Sequence, residues 1–530
     1  MEKRTKVCGL APLSGIRGEG ERSLAEKRPS PVLKGGALAA VALGLMLMKA
    51  VPGMAADTAT GAGSGVAYGT GSNAPKAENV AIGKDATISY SGGVGMPSTG
   101  DIVIGNKAKT NNYIDQGGGI AIGSNSFVEN MVGGLERSFD FNQAGYNTLP
   151  LIGTPYGLPK HPDKMVTGVA IGQNTYARSG SVMLGTHNYK GALGDVTVDS
   201  ADVRSHNLLP FATALGANSY SHGLFSSVTG AYSIISSNYD GNDSSVASKN
   251  FGATITGSLN SIESATSSSN YSGVANSIVG TANRTANSNG SLIFGAGNEI
   301  TNSITNISAP SSNSTSAKDL ADKLRASVKS SNSGGATLAI GGGNTADWTQ
   351  LSQIIGVNNT LKGTSGAISK FNMIDGYKNT VTKAEHVSVI GSENAVENSK
   401  SQTVIGDSNK ITDRNAGTIS GKQEERTKNV SDLVIGKGNK IEGNSTYMKG
   451  YESLTVIGNN NEMVNPGAGI VIGDNQKVGA IKESVVIGSM TPEEKADSDI
   501  QQKHASVVVG YHAQSGTRDG GGMNVALGHG

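Results

Sequence analysis

Cysteine is almost missing. Cys8 is the single one in 530 residues, so the chain can form no internal disulfide and no thiolate cluster for zinc or iron–sulfur. Aromatic residues make up 5% and hydrophobic residues 36%, thin material for several conventional cores. An excess of charge is also lacking: 43 Lys and Arg face 42 Asp and Glu, so no global field draws the chain to nucleic acid or anionic lipid. The motifs G-x-S-x-G, G-x-x-x-x-G-K-[ST], H-E-x-x-H and G-x-G-x-x-G are absent, and the eight histidines are dispersed. No residue is therefore assigned to catalysis, a metal or a cofactor. What is abundant is glycine, 75 residues against 14 prolines, within long Ser-, Asn- and Thr-rich stretches that border on a disordered composition.

The N-terminus reads as an export signal. Lys3, Arg4, Lys6, Arg17, Arg22, Lys27, Arg28 and Lys34 precede an apolar run from Gly35 to Met48 and then Pro52-Gly-Met-Ala-Ala56. The run is shorter than the roughly 20 residues of a spanning helix, and small residues follow it as a signal peptidase requires. Residues 1–56 are expected to be an extended signal peptide cleaved near Ala55 or Ala56, which removes Cys8, with a flexible linker over 57–78.

Repetition governs the rest. An apolar triplet followed by glycine recurs as Val80-Ala-Ile-Gly83, Ile102-Val-Ile-Gly105, Ile120-Ala-Ile-Gly123, Val169-Ala-Ile-Gly172 and Leu338-Ala-Ile-Gly341, and continues through Gly391, Gly406, Gly436, Gly458, Gly473 and Gly488 to Gly528. Gly341 to Gly356, Gly376 to Gly391, Gly391 to Gly406 and Gly458 to Gly473 are each fifteen residues apart, and Gly406 to Gly436 thirty. A unit that short cannot bury a hydrophobic face alone, so coils must stack and pair as a parallel β-solenoid of about fifteen residues per coil. Each glycine opens a turn and is expected at φ > 0.

Side-chain alternation places the residues one and three before the glycine, such as Ile472 and Ile470, on one strand face; they are expected to fill the interior. A second apolar residue five after it, such as Ile88, Leu361, Val396 or Val478, is expected to form the opposite wall. The residue two before the glycine, from Ala81 through Val456 to Ala526, should then point outward although it is apolar, a stripe that calls for a partner chain. Three residues after the glycine, Asn recurs from Asn188 through Asn359 to Asn461; stacked coils would align these into a hydrogen-bonded column, read as structural rather than as a ligand stripe.

The basic, extended signal, the cysteine-free mature chain and the V-A-I-G repeats together resemble the YadA-like heads of trimeric autotransporter adhesins, over roughly 79–530. That resemblance implies a left-handed parallel β-roll, a homotrimer with three chains side by side, and anchoring in the outer membrane of a Gram-negative-type envelope. It also implies a non-catalytic adhesin binding host extracellular-matrix or cell-surface molecules, or its own kind. The fuller family motif, N-S-V-A-I-G, is matched only in part: Ser484 and Ser506 keep the serine, and Asn79 the asparagine. The family's stalk and membrane anchor have no counterpart before Gly530, and a longer reading frame is expected. Two other readings stay open, a structural surface or biofilm protein and a left-handed β-helix acyltransferase.

Interruptions are expected near 129–167, 189–210, 312–333 and 489–504, the third and fourth holding short helices opened by Ser316 and Thr491. Phe139, Tyr146 and Tyr156 in the first, and Trp348, the only tryptophan, are the candidate surface-binding residues, with a capping flap or a packed rim residue as their structural alternatives.

Overall fold

The structure is a computed structural model that describes residues 61–91, 100–113, 118–130, 167–189, 207, 209–237, 249–264, 272–304, 306–310, 317–331, 337–414, 431–443, 453–497, 501–504, 506–511 and 524–528. The expected signal segment with Ala55 and Ala56, and Phe139, Tyr146 and Tyr156, lie outside these residues.

Short strands pair in parallel, each with the strand of the next repeat. In the first ladder Leu338 pairs with Gln353, Gln353 with Met373, Met373 with Ser388, and Ser388 with Thr403. The repeat glycines stay in register, Gly376 opposite Gly391 and Gly391 opposite Gly406. A second ladder pairs the segment beyond the turn, Thr360 with Thr380, Thr380 with Ala395 and Ala395 with Lys410. A short third side pairs Thr349–Gln350 with Ser369–Lys370 and continues as bridges from Lys370 to Glu385 and from Glu385 to Lys400. Parallel strands joined by such short connections are the stacking that the repeat demands.

The phase of the strands is the reverse of the expected one. Val471 is 0% exposed, whereas Ile470 and Ile472 are 41% and 37% exposed. The same holds along the ladder: between its two end triplets the middle residue is buried, as at Ala81, Val103, Val404 and Val456, and the flanking pair faces out. Alternation fixes which residues share a face but not which face is inside, and three adjacent apolar residues leave that choice open. The expected opposite wall stands where the sequence put it: Ile300, Leu361, Val381, Val396 and Ile411 are buried and join Ile354, Val389 and Val404 in one core cluster.

Two boundaries also move. Residues 61–78 are not a linker, because Val66–Tyr68 pairs with Val80–Ile82 and Asn73 bridges to both Ala62 and Thr87. The triplet Val66-Ala-Tyr68 before Gly69 is a further copy of the repeat. At the other end Gln501 pairs with Val478, so the second ladder resumes within the expected interruption at 489–504.

Both expected helices form, although Ser316, the expected opening residue of the first, lies outside the described residues. Ala317–Lys329 buries Leu320 and packs Leu324 against the Leu209, Phe251 and Val274 cluster, while Val328 is left exposed. In the second, Pro492–Asp497, Thr491 Oγ1 accepts from the Glu494 N–H at 3.3 Å and Glu494 Oε2 accepts from the Thr491 N–H at 2.7 Å, a reciprocal capping box.

Candidate binding surface

Every glycine singled out from the sequence, from Gly83, Gly105, Gly123 and Gly172 through Gly341, Gly391, Gly406 and Gly436 to Gly458, Gly473 and Gly488, has φ between 118° and 147°. The column is closed to any side chain: a Cβ on Gly406 would stand 1.9 Å from the Gly436 carbonyl oxygen. That same carbonyl takes a hydrogen bond from Asn409 Nδ2 at 2.8 Å.

From Asn260 to Asn461 the asparagines form a continuous buried column; Asn188 stands apart from it, with Ser219 and Ser233 at the next two positions. Asn359 donates from its backbone N–H and from Nδ2 to Asn344 Oδ1, at 3.0 and 3.1 Å, and from Nδ2 to the Gly376 carbonyl at 2.8 Å. Asn379 repeats the pattern on Asn359, Asn394 on Asn379 and Asn409 on Asn394. Gln476 ends it, its N–H on Asn461 Oδ1 at 2.9 Å. Each amide is occupied by the coils above and below, so the column is structural and offers a ligand nothing.

Two outer faces differ in chemistry. On the first ladder the outward residues are mostly aliphatic, with Ile340, Ile390, Ile405, Ile470 and Ile487 all exposed. On the second they are charged or hydroxylated: Arg284 bonds Glu263 at 2.9 Å and Glu299 at 2.7 Å, and Lys440 lies 3.7 Å from Glu442 and 4.0 Å from Glu462.

The third side carries a denser group. Just before several first-ladder strands the chain turns through φ > 0, at Phe211, Phe225, Leu351, Phe371, His386 and Ser401, where φ runs from 45° to 59°. This corner is uneven in its cover. Phe211 and Phe225 stack at 5.4 Å and belong to the cluster on which the helix Ala317–Lys329 lies. Phe371 and His386 stack at 4.6 Å with an interplanar angle of 9°, and both are exposed. Beside them Glu385 bridges Lys370 and Lys400 at 3.2 and 3.0 Å. Burial pushes the Glu385 carboxyl up, but the bonds from Lys400 and Lys370 outweigh it and hold the carboxyl below its ordinary value. Trp348, half-buried at φ 51°, opens the same side, its carbonyl accepting from the Ser369 N–H at 3.1 Å. Of the candidate surface residues it is the one that the described structure places, and it leads into Thr349–Gln350, which pairs with the strand that carries Lys370. Sequence reading missed Phe371, His386 and the lysines around Glu385. Their signal was positional: a bulky side chain two residues before a strand, where small residues such as Gly252, Ala275 and Gly290 also stand.

Polar clasps secure the ladder beside its interruptions. Arg414 and Asp432 flank residues 415–430 and pair at 2.7 and 2.8 Å, both 1% exposed, while Asp432 Oδ1 also accepts from the Leu454 N–H at 2.9 Å. Asp101 accepts from the Tyr90 hydroxyl at 2.9 Å, Asn112 Nδ2 at 3.0 Å and the Gly119 N–H at 2.9 Å. Its burial outweighs these bonds and raises its pKa to about 6. Glu129 accepts from the Tyr176 hydroxyl and, at 3.3 Å, from Arg178, and Asn130 Oδ1 accepts from the Gly168 N–H at 2.8 Å.

No protein-family model matches the chain, and no curated protein matches it.

Proposed function

We propose that the chain is the head of a cell-surface adhesin: a left-handed β-roll of about fifteen residues per coil that assembles as a homotrimer and binds surfaces without turnover. The observation that carries this reading is the contrast of outer faces, a long exposed aliphatic stripe on the first ladder against a charged, hydroxyl-rich second ladder. An apolar stripe of that length on one face is the mark of an interface, and a second and third copy of the chain supply matching stripes. The residues proposed to meet across it are Ile390, Ile405, Ile470, Ile472 and Ile487, in place of the buried Val456 and Val471 that the sequence alone nominated. Trimerisation multiplies weak contacts on the remaining faces, so avidity supplies affinity that no single coil has. Matrix or cell-surface molecules are the proposed partners, with export by the N-terminal segment and anchoring at an outer membrane.

The test is mass and adhesion together. Light scattering on the mature chain gives three times the chain mass in this reading, and Ile472→Asp with Ile487→Asp gives a folded species of single mass. Beads carrying the wild-type chain adhere to a matrix or epithelial surface, or clump, and beads carrying the double variant do not. A soluble wild-type monomer, or adhesion indifferent to the double variant, would overturn the proposal.

A further inference from the structure

We infer that the third side around Phe371, His386, Lys370 and Lys400 is a binding site for a polysaccharide that carries carboxylate or sulfate groups. The positive-φ corner before the strands supplies the first argument. Where it bears Phe211 and Phe225, the chain's own helix packs over it through Leu320 and Leu324. Where it bears Phe371 and His386, the same backbone position presents a stacked ring pair at an exposed corner. Phe371 and His386 hold φ of 57° and 56°, a conformation that bulky residues adopt at an energetic cost. A glycine or alanine fills this corner at Gly252, Ala275 and Gly290, so the fold does not require rings here. Ser401, next in the column, has no ring to set against the other face of His386.

Charge supplies the second argument. Lys370, Glu385 and Lys400 are successive bridge partners, which puts the two lysine backbones roughly 10 Å apart along the ladder while their ammonium groups converge on the carboxylate between them. Both reach Glu385, at 3.2 and 3.0 Å, so one carboxylate neutralises half of a dibasic pair. Lys383 is exposed at the turn that leads into Glu385, and Trp348 occupies the equivalent turn before Gln350. A sugar ring presents an apolar C–H face to an aromatic ring and its anionic substituents to ammonium groups. This side offers both kinds of partner in a row, and a chain of sugars extends along successive coils. The choice of an extracellular ligand rests on the adhesin reading; the residues that form the site do not.

The experiment measures retention of the full chain on immobilised dextran sulfate, on uncharged dextran and on single-stranded oligonucleotide. Wild type binds dextran sulfate, more weakly as salt rises, and leaves uncharged dextran alone. Lys370→Gln with Lys400→Gln weakens binding about three- to tenfold, in keeping with two exposed charge contacts, and Phe371→Ala weakens it by a similar factor. Glu385→Gln frees both lysines and tightens binding by about threefold, a gain that a merely structural role for the cluster does not produce. Lys440→Gln, on the charged second ladder, leaves binding unchanged. Equal loss with Lys440→Gln, no gain with Glu385→Gln, or a preference for oligonucleotide over dextran sulfate overturns the inference. Light scattering on the same samples reports the oligomer separately, so a failed site and a failed trimer are told apart.

Discussion

The rungs before Ala217 and those after Ser227 follow one backbone plan with different fillings. In the first region the inner residue of the triplet is often alanine, as at Ala81, Ala121, Ala170 and Ala214. In the second it is mostly Ile or Val, as at Ile255, Ile354, Val404 and Val471. Two or three carbons fewer at one rung is roughly 2 kcal/mol less apolar burial. The position three after the glycine changes in parallel: Ala86, Ala108, Ser126 and Thr175 early, and an unbroken Asn column from Asn260 to Asn461 later. Where that column is absent, polar bonding moves to buried clasps around Asp101, Asn112 and Glu129. The ladder itself thus needs only a glycine and an apolar middle residue. How each region is held together is decided separately, by aliphatic burial and amides in the second, with the Arg414–Asp432 clasp added beside one interruption, and by side-chain clasps in place of the amides in the first.

The largest effect should separate inner from outer residues within the aliphatic region. Val471→Asp places a carboxylate in the core and should cost more than about 4 kcal/mol, read as loss of hydrogen-exchange protection across rungs 454–487. Ile472→Asp, one residue away and outward, should leave that protection in place and change only the oligomeric mass. Equal unfolding by the two would put the strand phase back in question.

Gly406→Ala comes next. Its φ of 130° alone carries roughly 1–3 kcal/mol of strain, and the Cβ would also stand 1.9 Å from a backbone oxygen of the next rung. Gly366→Ala is the control, because nothing lies within 4 Å of a Cβ there. Thermal melts should fall sharply for the first and hardly move for the second.

Much of this was legible in the sequence. The glycine column, the second wall, the Asn column from Asn260 and the placing of both helices follow from spacing, and the Thr491 cap from its capping box. The strand phase did not, because triplets such as Ile470-Val-Ile472 are apolar on both faces. The copies that settle it are Ser227-Val-Thr229 and Thr254-Ile-Thr256, where the flanks are polar and only the middle residue is apolar; a search for apolar triplets passes over them. The clasps and the Phe371 corner were illegible for another reason. Their members are far apart in sequence or sit at turns whose handedness composition does not reveal, as with Arg414 and Asp432 across residues 415–430.

Asn394→Ala tests the amide column at a smaller scale. It removes the acceptor of the Asn409 N–H, at 3.1 Å, and the donor to the Gly406 carbonyl, at 2.6 Å, and leaving buried groups unpaired costs about 1–3 kcal/mol. Asn394→Ser should recover part of the loss, because Ser233 Oγ already makes the equivalent bond to the Gly257 carbonyl at 2.9 Å. Full stability of the alanine variant would mean that the column contributes no net energy, and the second region would then rest on aliphatic burial alone.

The smallest effect is a pH dependence confined to the first region. Asp101 titrates near 6 when folded and near its ordinary value of 3.8 when unfolded, because burial penalises its charged form more than Tyr90, Asn112 and Gly119 favour it. The folded state therefore holds more protons between those values, and its stability is greatest in acid and falls as pH rises through 6. Lowering the pH from about 7 to about 5 should strengthen the rungs around Asp101 by about 1.4 kcal/mol, the equivalent of one pH unit of titration. Hydrogen exchange at the Gly119 amide, which donates to Asp101 at 2.9 Å, reads this locally after correction for the intrinsic pH dependence of exchange. The Leu361 and Val396 rungs serve as the reference that should not respond. Asp101→Asn keeps the amide acceptor and abolishes the titration, so its exchange profile should be flat in pH. If the variant keeps the wild-type dependence, another group in that region is titrating and the Asp101 clasp is not what distinguishes the two halves of the ladder.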